Sequence, residues 1–260
     1  MNLRNQLLDK RRIVIKIGSS SLTHKETGHI SVSKMERFVR QISDIKNSGK
    51  EVILVTSGAQ AVGRSALNLM KKPDILAQKQ AVAAVGQASL MMLYQKLFRE
   101  YNLTVGQVLI TKDLIEHEGR KENAINTFRA LLDYNVIPIV NENDTVSTEE
   151  IEFGDNDNLS AIVSGLVNAD LLIILSDIDG LYDSDPRSNP NAQLISEVNG
   201  VDESIVHMAS GVGSKVGTGG MITKLQAAKF ANDRGIDMVI ANSETDQVLH
   251  KILQTQTIGT

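Results

Sequence analysis

The sequence contains no cysteine and no tryptophan, and only 3% of its 260 residues are aromatic. Without cysteine, the chain can form no disulfide, no thiolate metal site and no cysteine nucleophile, and nothing indicates an oxidising compartment. An excess of basic charge is also missing, since 27 lysine and arginine residues stand against 31 aspartate and glutamate residues. Because nucleic-acid-binding surfaces are basic and often aromatic, this composition argues against a nucleic-acid partner.

Long hydrophobic runs are missing as well. The apolar stretch at 13–17 is short and contains Lys16, whereas the core of a secretory signal needs about 7–15 apolar residues. The longest candidate for a membrane span, at 81–94, is interrupted by Gln87 and Ser89 and is shorter than the ~20 residues that a spanning helix requires. We therefore expect a cytoplasmic protein without a membrane partner.

Short apolar runs alternate with longer helical patterns along the chain. The runs are almost continuously apolar, which is typical of strands in a parallel sheet that is covered on both faces. The predicted strands are 13–17, 51–56, 105–110, 136–140, 171–175 and 238–241. One predicted helix is capped by Ser31, and a second runs from Pro73 to about Arg99. The others lie near 121–134, 159–167, 221–234 and 245–253.

This alternation predicts right-handed βαβ crossovers and a three-layer α/β/α sandwich around a mostly parallel central sheet. At 260 residues, the chain is long enough for one large domain or two small ones. We expect a single domain over 1–260, with an N-terminal lobe at about 1–168 that holds the acceptor site and a C-terminal lobe at about 169–260 that holds the nucleotide site.

Lys16 interrupts the first apolar run. A lysine in such a place is paired, functional, or extended along its stem to solvent. Gly18 follows two residues later, and a glycine lets backbone N–H groups approach an anion closely. The pair favours an anion site where the first strand ends.

A second glycine-rich segment, at 217–224, ends at Lys224 and leads into an apolar helical pattern. A glycine-rich turn before a helix presents N–H groups and the positive end of the helix dipole to a phosphate. A plain surface loop is the alternative interpretation. The segment matches neither a Walker A loop nor a Gly-x-Gly-x-x-Gly fingerprint.

Asparagine and aspartate are concentrated in two further segments, 141–144 and 154–158. These residue types are common in turns and caps, but here the two clusters flank one short segment. They could hold the ammonium group of an amino acid, orient lysines or contact magnesium. Two lysines, two glycine-rich turns and a carboxylate cluster together predict phosphoryl transfer, because its loose transition state requires positioning and positive charge.

The motifs resemble those of the amino-acid kinase family, and within it the branch that phosphorylates glutamate. The resemblance covers about residues 12–260 and rests on 14–20, 55–59, 141–144, 154–161, 183–190 and 217–224. It implies the amino-acid kinase fold and the ATP-dependent phosphorylation of the side-chain carboxylate of L-glutamate, as the first step of proline synthesis. The alternatives are a sibling kinase of N-acetylglutamate, aspartate, carbamate or UMP, and a non-catalytic nucleotide-binding sensor.

The resemblance also implies roles for individual residues. Lys16 would contact the transferring phosphoryl group, Lys224 would neutralise charge on the ATP phosphates, and Asp157 would orient both lysines. The implied substrate-binding residues are Ser57, Gly58, Ala59, Asn141, Asp144 and Asn156. The implied ATP-binding residues are Lys16, Gly18, Ser176, Asp177, Thr218, Gly219, Gly220, Met221, Ile222, Thr223 and Lys224. Magnesium would accompany ATP, with no protein ligands assigned.

Several partners follow from the same resemblance. Proline is the expected feedback inhibitor, and a homo-oligomer, either a dimer or a tetramer, is the expected assembly. Functional coupling to glutamyl phosphate reductase is a further expectation. Many members of the family carry a C-terminal PUA domain, and we expect none in this chain.

Overall fold

The computed structural model describes residues 3–111, 114, 117–146, 156–203, 205–206 and 220–260. The strands are β1 (Arg12–Ile17), β2 (Glu51–Thr56), β3 (Val105–Ile110), β4 (Ile137–Glu142), β5 (Leu171–Ser176) and β6 (Asp237–Asn242). A 3-10 helix, Leu3–Asp9, precedes them. The α-helices are α1 (Ser19–Leu22), α2 (Val32–Asn47), α3 (Ala59–Ala66), α4 (Leu76–Arg99), α5 (Glu118–Asp133), α6 (Asn156–Leu166), α7 (Met221–Asn232) and α8 (Val248–Leu253).

The six strands form one sheet in the order β3-β4-β2-β1-β5-β6. The pairs β2–β4, β3–β4 and β5–β6 are parallel, with Leu54 opposite Ile139 and Ile173 opposite Val239. Helices connect the strands, as parallel pairing requires. The expected α/β sandwich around a mostly parallel sheet is therefore confirmed.

The prediction that every strand is buried is wrong for β3. Its side chains alternate in exposure, and Gln107 and Leu109 are exposed, whereas every residue of β5 is buried. β3 lies at one end of the strand order and has a neighbour only in β4.

The helices differ from the prediction at two places. Helix α3 was not predicted, because it is short and contains a glycine. Pro73 does not open α4, since Ile75 is still extended and the helix begins at Leu76. The predicted Ser31 cap is confirmed, because its hydroxyl accepts from the backbone N–H of Lys34.

The chain divides into two compact units: unit 1 comprises Met1–Lys16 and Gly154–Thr260, and unit 2 comprises Ile17–Phe153. The core of unit 2 includes fully buried Phe38, Tyr94 and Phe98, and the core of unit 1 includes β5. In the described part of the chain no helix meets the length and hydropathy of a membrane span, α4 with its 24 residues included.

Helices α3 and α4 of unit 2 cross at unusually short range, through one glycine on each helix. A Cβ atom on Gly63 would overlap the carbonyl oxygen of Val82, and one on Gly86 would overlap the carbonyl oxygen of Ala59. Only glycine lets two backbones approach this closely. Through Gly86, α4 contacts Ala59, the first residue of α3 and one of the predicted substrate-binding residues.

Candidate active site

Three buried charged side chains meet in unit 1. The Nζ of Lys16 lies 2.7 Å from Oδ1 of Asp157, and the Nζ of Lys224 lies 3.0 Å from Oδ2 of the same carboxylate. Asp157 is 0% exposed, Lys224 is 2% exposed and Lys16 is 6% exposed. The structure thus brings together the three residues that the sequence singled out for phosphoryl transfer.

Each member of this cluster comes from the end of a regular element. Lys16 is the penultimate residue of β1, Asp157 is the second residue of α6, and Lys224 is the fourth residue of α7. A carboxylate in the first turn of a helix is favourable, but a lysine in the first turn is unfavourable because of the positive helix terminus. Lys224 therefore destabilises α7 taken alone, and its ion pair with Asp157 compensates for this.

Within the cluster, two ammonium groups bind one carboxylate. Two ammonium groups that one carboxylate holds close together can also bind an anion such as a phosphate. An ammonium group has three N–H donors, which lets a lysine hold Asp157 and a phosphate oxygen at the same time. The hydroxyl of Thr223 also lies 3.1 Å from Oδ2 of Asp157.

The other residues predicted to bind ATP in unit 1 lie at the ends of β5 and α7. Ser176 is the last residue of β5, and its hydroxyl donates to Oδ1 of the exposed Asp177 at 3.2 Å. Gly220 caps α7 without a side-chain bond, and Met221 and Ile222 follow in its first turn. The predicted residues Thr218 and Gly219 lie outside the described residues.

The predicted acceptor residues Ser57, Gly58 and Ala59 form a turn in unit 2 between β2 and α3. The backbone N–H of Ser57 donates to the carbonyl of Ile17 at 3.2 Å. Gly58 has φ = 104°, a left-handed conformation that favours glycine, and it is the N-cap of α3. The turn holds the start of α3 against the end of β2. Gly18, predicted to bind ATP, caps α1 in the same unit.

Asn141 and Asp144 follow at the end of β4 in unit 2. Asn141 is 3% exposed, and its Nδ2 donates to Oε1 of Gln87 at 2.8 Å. Asp144 lies in a turn, where burial raises the pKa of its carboxyl group above the ordinary value. A cationic group placed beside Asp144 would favour its ionised form. Asn156, predicted to bind substrate with them, is the first residue of α6 in unit 1.

Sequence reasoning missed three residues that support these groups: Gly63, Gly86 and Gln87. Gly63, Gly86 and Gln87 carried no local signal of a role, because each acts through a contact with a distant segment. Thr223 was predicted to bind ATP but not to contact Asp157. Among the described residues, no group of three histidine, aspartate or glutamate side chains is placed to hold a metal ion.

Comparison with known sequences shows the family of this chain. The model of the amino acid kinase family matches residues 11–242. The chain is 55% identical over 262 residues to the glutamate 5-kinase of Clostridium perfringens, covering 99% of this chain and 97% of that protein. It is 55% identical over 258 residues to the glutamate 5-kinase of Carboxydothermus hydrogenoformans, covering 99% of this chain and 69% of that protein.

Comparison with solved structures shows the fold. The UMP kinase from Ureaplasma parvum matches with a TM-score of 0.65 at 17% identity, covering 96% of this chain and 97% of that one. The UMP kinase from Bacillus anthracis matches with a TM-score of 0.64 at 16% identity, covering 96% and 95%. At such low identity the likeness concerns the fold alone.

Proposed function

The chain belongs to the amino acid kinase family, and from this membership we propose that it transfers the terminal phosphoryl group of ATP to the side-chain carboxylate of L-glutamate. The products are L-glutamyl 5-phosphate and ADP, and the reaction is the first step of proline biosynthesis. The observation that carries the phosphoryl-transfer chemistry is the buried Lys16–Asp157–Lys224 cluster. The choice of glutamate as acceptor is supported by the relatives that are named glutamate 5-kinase.

The transfer breaks one phosphorus–oxygen bond and forms another. An oxygen of the glutamate side chain bonds to the γ-phosphorus, and the bond from that phosphorus to the β,γ-bridging oxygen breaks. The side chain of glutamate has a pKa of about 4.3 and is ionised at neutral pH. No proton has to be removed from the acceptor, so the site needs no general base.

The main obstacle is the approach of an anionic acceptor to an anionic phosphate. Lys16 contacts the transferring phosphoryl group, and Lys224 stabilises the charge that develops on the phosphates of ADP. Asp157 holds both ammonium groups in place, so little reorganisation is needed during the reaction. Gly18, Ser176, Asp177 and the 218–224 segment bind the rest of the nucleotide.

Recognition of the acceptor is assigned to Ser57, Gly58, Ala59, Asn141, Asp144 and Asn156. The carboxylate of Asp144 pairs with the ammonium group of glutamate, and Asn141 hydrogen-bonds to the amino acid. Ser57, Gly58 and Ala59 supply the hydroxyl and backbone N–H groups of their turn to its carboxylates. A substrate without a free ammonium group, such as N-acetylglutamate, leaves Asp144 without a cationic partner, which is the basis of discrimination within the family.

Magnesium accompanies ATP in this proposal. The ion would be held chiefly by the phosphate oxygens, as is usual for magnesium. The ion supplies charge neutralisation when bound, and no residue of this chain is assigned to it.

Further properties are proposed on the family resemblance alone. The protein acts in the cytoplasm as a homo-oligomer, either a dimer or a tetramer. Proline inhibits it at or near the glutamate site, and its product passes to glutamyl phosphate reductase.

The test is ADP release by the purified chain with ATP and magnesium, with hydroxylamine present to trap an acyl phosphate. L-Glutamate is compared with aspartate, N-acetylglutamate and UMP at equal concentrations. The proposal expects glutamate-dependent ADP release and an equal amount of hydroxamate. Faster ADP release with another acceptor would contradict the substrate, and ATP binding without ADP release under any acceptor would favour a sensor.

A further inference from the structure

Helix α4 carries a polar stripe that faces the predicted acceptor residues of unit 2. Gln87 and Tyr94 are seven residues apart, which places them on one face of the helix. Gln87 is bonded to Asn141, and the hydroxyl of Tyr94 lies 2.8 Å from that of Thr56, the residue before Ser57. The same helix presses on Ala59 through Gly86. All of these contacts lie within unit 2.

Gln87 is a poor choice for stability alone. The side chain is 9% exposed, and its Nε2 is covered from solvent and has no hydrogen-bond partner among the described residues. A buried donor without a partner is destabilising, and an apolar side chain of the same length would avoid that cost. The glutamine therefore has a use that a methionine could not serve.

The direction of the hydrogen bond between Gln87 and Asn141 indicates the role of the glutamine. Oε1 of Gln87 accepts from Nδ2 of Asn141, which turns the amide nitrogen of Asn141 toward α4. The amide of Asn141 can no longer rotate freely, so the same edge of its amide always faces away from α4. An amide that is held in this way binds an amino acid without first losing rotational freedom.

We propose that Gln87 is a positioning residue of the acceptor site, acting on glutamate through Asn141. The inference rests on the proposed function, because it assigns Asn141 to acceptor binding. Gln87 belongs to unit 2, whereas Lys16, Asp157 and Lys224 belong to unit 1. Its loss weakens acceptor binding and leaves nucleotide binding as it was.

The experiment compares Gln87→Met with the wild type. The KM for glutamate is expected to rise about tenfold, which corresponds to about 1.4 kcal/mol, the scale of one hydrogen bond. The KM for ATP is expected to stay within twofold. Thermal unfolding is expected to occur near the wild-type temperature, because the unpartnered Nε2 is gone while Nδ2 of Asn141 loses its acceptor. Gln95→Met is the matched control, since Gln95 is exposed on the same helix.

Three results would overturn the proposal. One is an unchanged KM for glutamate in Gln87→Met. Another is a rise in both KM values together with a lower unfolding temperature, which would make Gln87 a structural residue. The third is a failure of both Gln87→Met and Gln87→Leu to fold, which would place Gln87 in the core.

A second measurement asks whether Gln87 acts through Asn141. In an Asn141→Ala background, Gln87→Met is expected to change kcat/KM for glutamate less than twofold, because the bond is already lost. A further tenfold fall would mean that Gln87 acts independently, and the positioning role would be wrong. The wild type must first release ADP with glutamate. If it does not, the proposed function itself fails, which is a separate outcome from a wild-type KM in Gln87→Met.

Discussion

Replacement of Lys224 by methionine separates the two tasks of the buried cluster. Methionine keeps a flexible apolar side chain in the space of the lysine stem and removes the ammonium group. Asp157 then keeps Lys16 at 2.7 Å and the hydroxyl of Thr223 at 3.1 Å, so no buried charge loses its last partner. The substitution removes one of the two positive charges of the cluster. We expect the free energy of unfolding to change by no more than about 1 kcal/mol, because an intact neutral pair remains.

The effect on catalysis is expected to be much larger. Loss of one preorganised group that stabilises transition-state charge costs about 100- to 1,000-fold in kcat. The assay is glutamate-dependent ADP release for kcat, together with thermal unfolding for stability, on the same preparation. A change of about 1 kcal/mol shifts the unfolding midpoint by roughly 2–4 °C in a protein of this size.

The matched control is Lys229→Met on the same helix. Lys229 is 61% exposed and lies 3.4 Å from Asp233 on the surface, where an ion pair contributes little. Both its kcat and its unfolding midpoint are expected to match the wild type. A kcat for Lys224→Met within tenfold of the wild type would refute the catalytic role. An unfolding midpoint lowered by more than about 10 °C would instead make Lys224 a structural residue.

Three other perturbations test neighbouring parts of the structure. Asp157→Asn removes the carboxylate that two buried ammonium groups share, so the free energy of unfolding is expected to fall by about 3–5 kcal/mol in denaturant titration; a fall below 1 kcal/mol would contradict this. Gly86→Ala places a Cβ on the carbonyl oxygen of Ala59 and is expected to lower the unfolding midpoint and raise the KM for glutamate, whereas Gly119→Ala, whose Cβ meets nothing within 4 Å, is expected to do neither. Because burial raises the pKa of Asp144, the residue takes up a proton at a higher pH than an ordinary aspartate, and the KM for glutamate is expected to rise as the pH falls through that pKa. The rise should be absent in Asp144→Asn, and the same rise in the variant would contradict the assignment.

The sequence was most informative where a residue conflicts with its surroundings. Lys16 stands in a run of apolar residues that is buried almost completely in β1, and such a conflict between local pattern and residue type is typical of a functional position. The strands of the sheet were predictable for the same reason, since a parallel sheet covered by helices has a simple apolar signature. The edge position of β3 was not predictable, because its apolar residues resemble those of the inner strands.

The sequence was least informative where two distant segments meet. Asn141 and Gln87 are 54 residues apart, and in the sequence Gln87 is only an interruption in a long apolar helix. Nothing in the sequence indicated a role for Gly86 either, because its close approach to Ala59 depends on the crossing of α3 and α4. The pairing of Asp157 with both lysines was expected from the family resemblance, and residue spacing alone would not have predicted it.

The close crossing of α3 and α4 has a consequence for protein engineering. A chimera that takes α3 from a relative and keeps the native α4 would tolerate only glycine at position 63, because any side chain there overlaps the carbonyl oxygen of Val82. The reverse exchange meets the same restriction at position 86. A transplant that moves the turn at Gly58 and both helices, through Arg99, as one segment keeps both glycine contacts together.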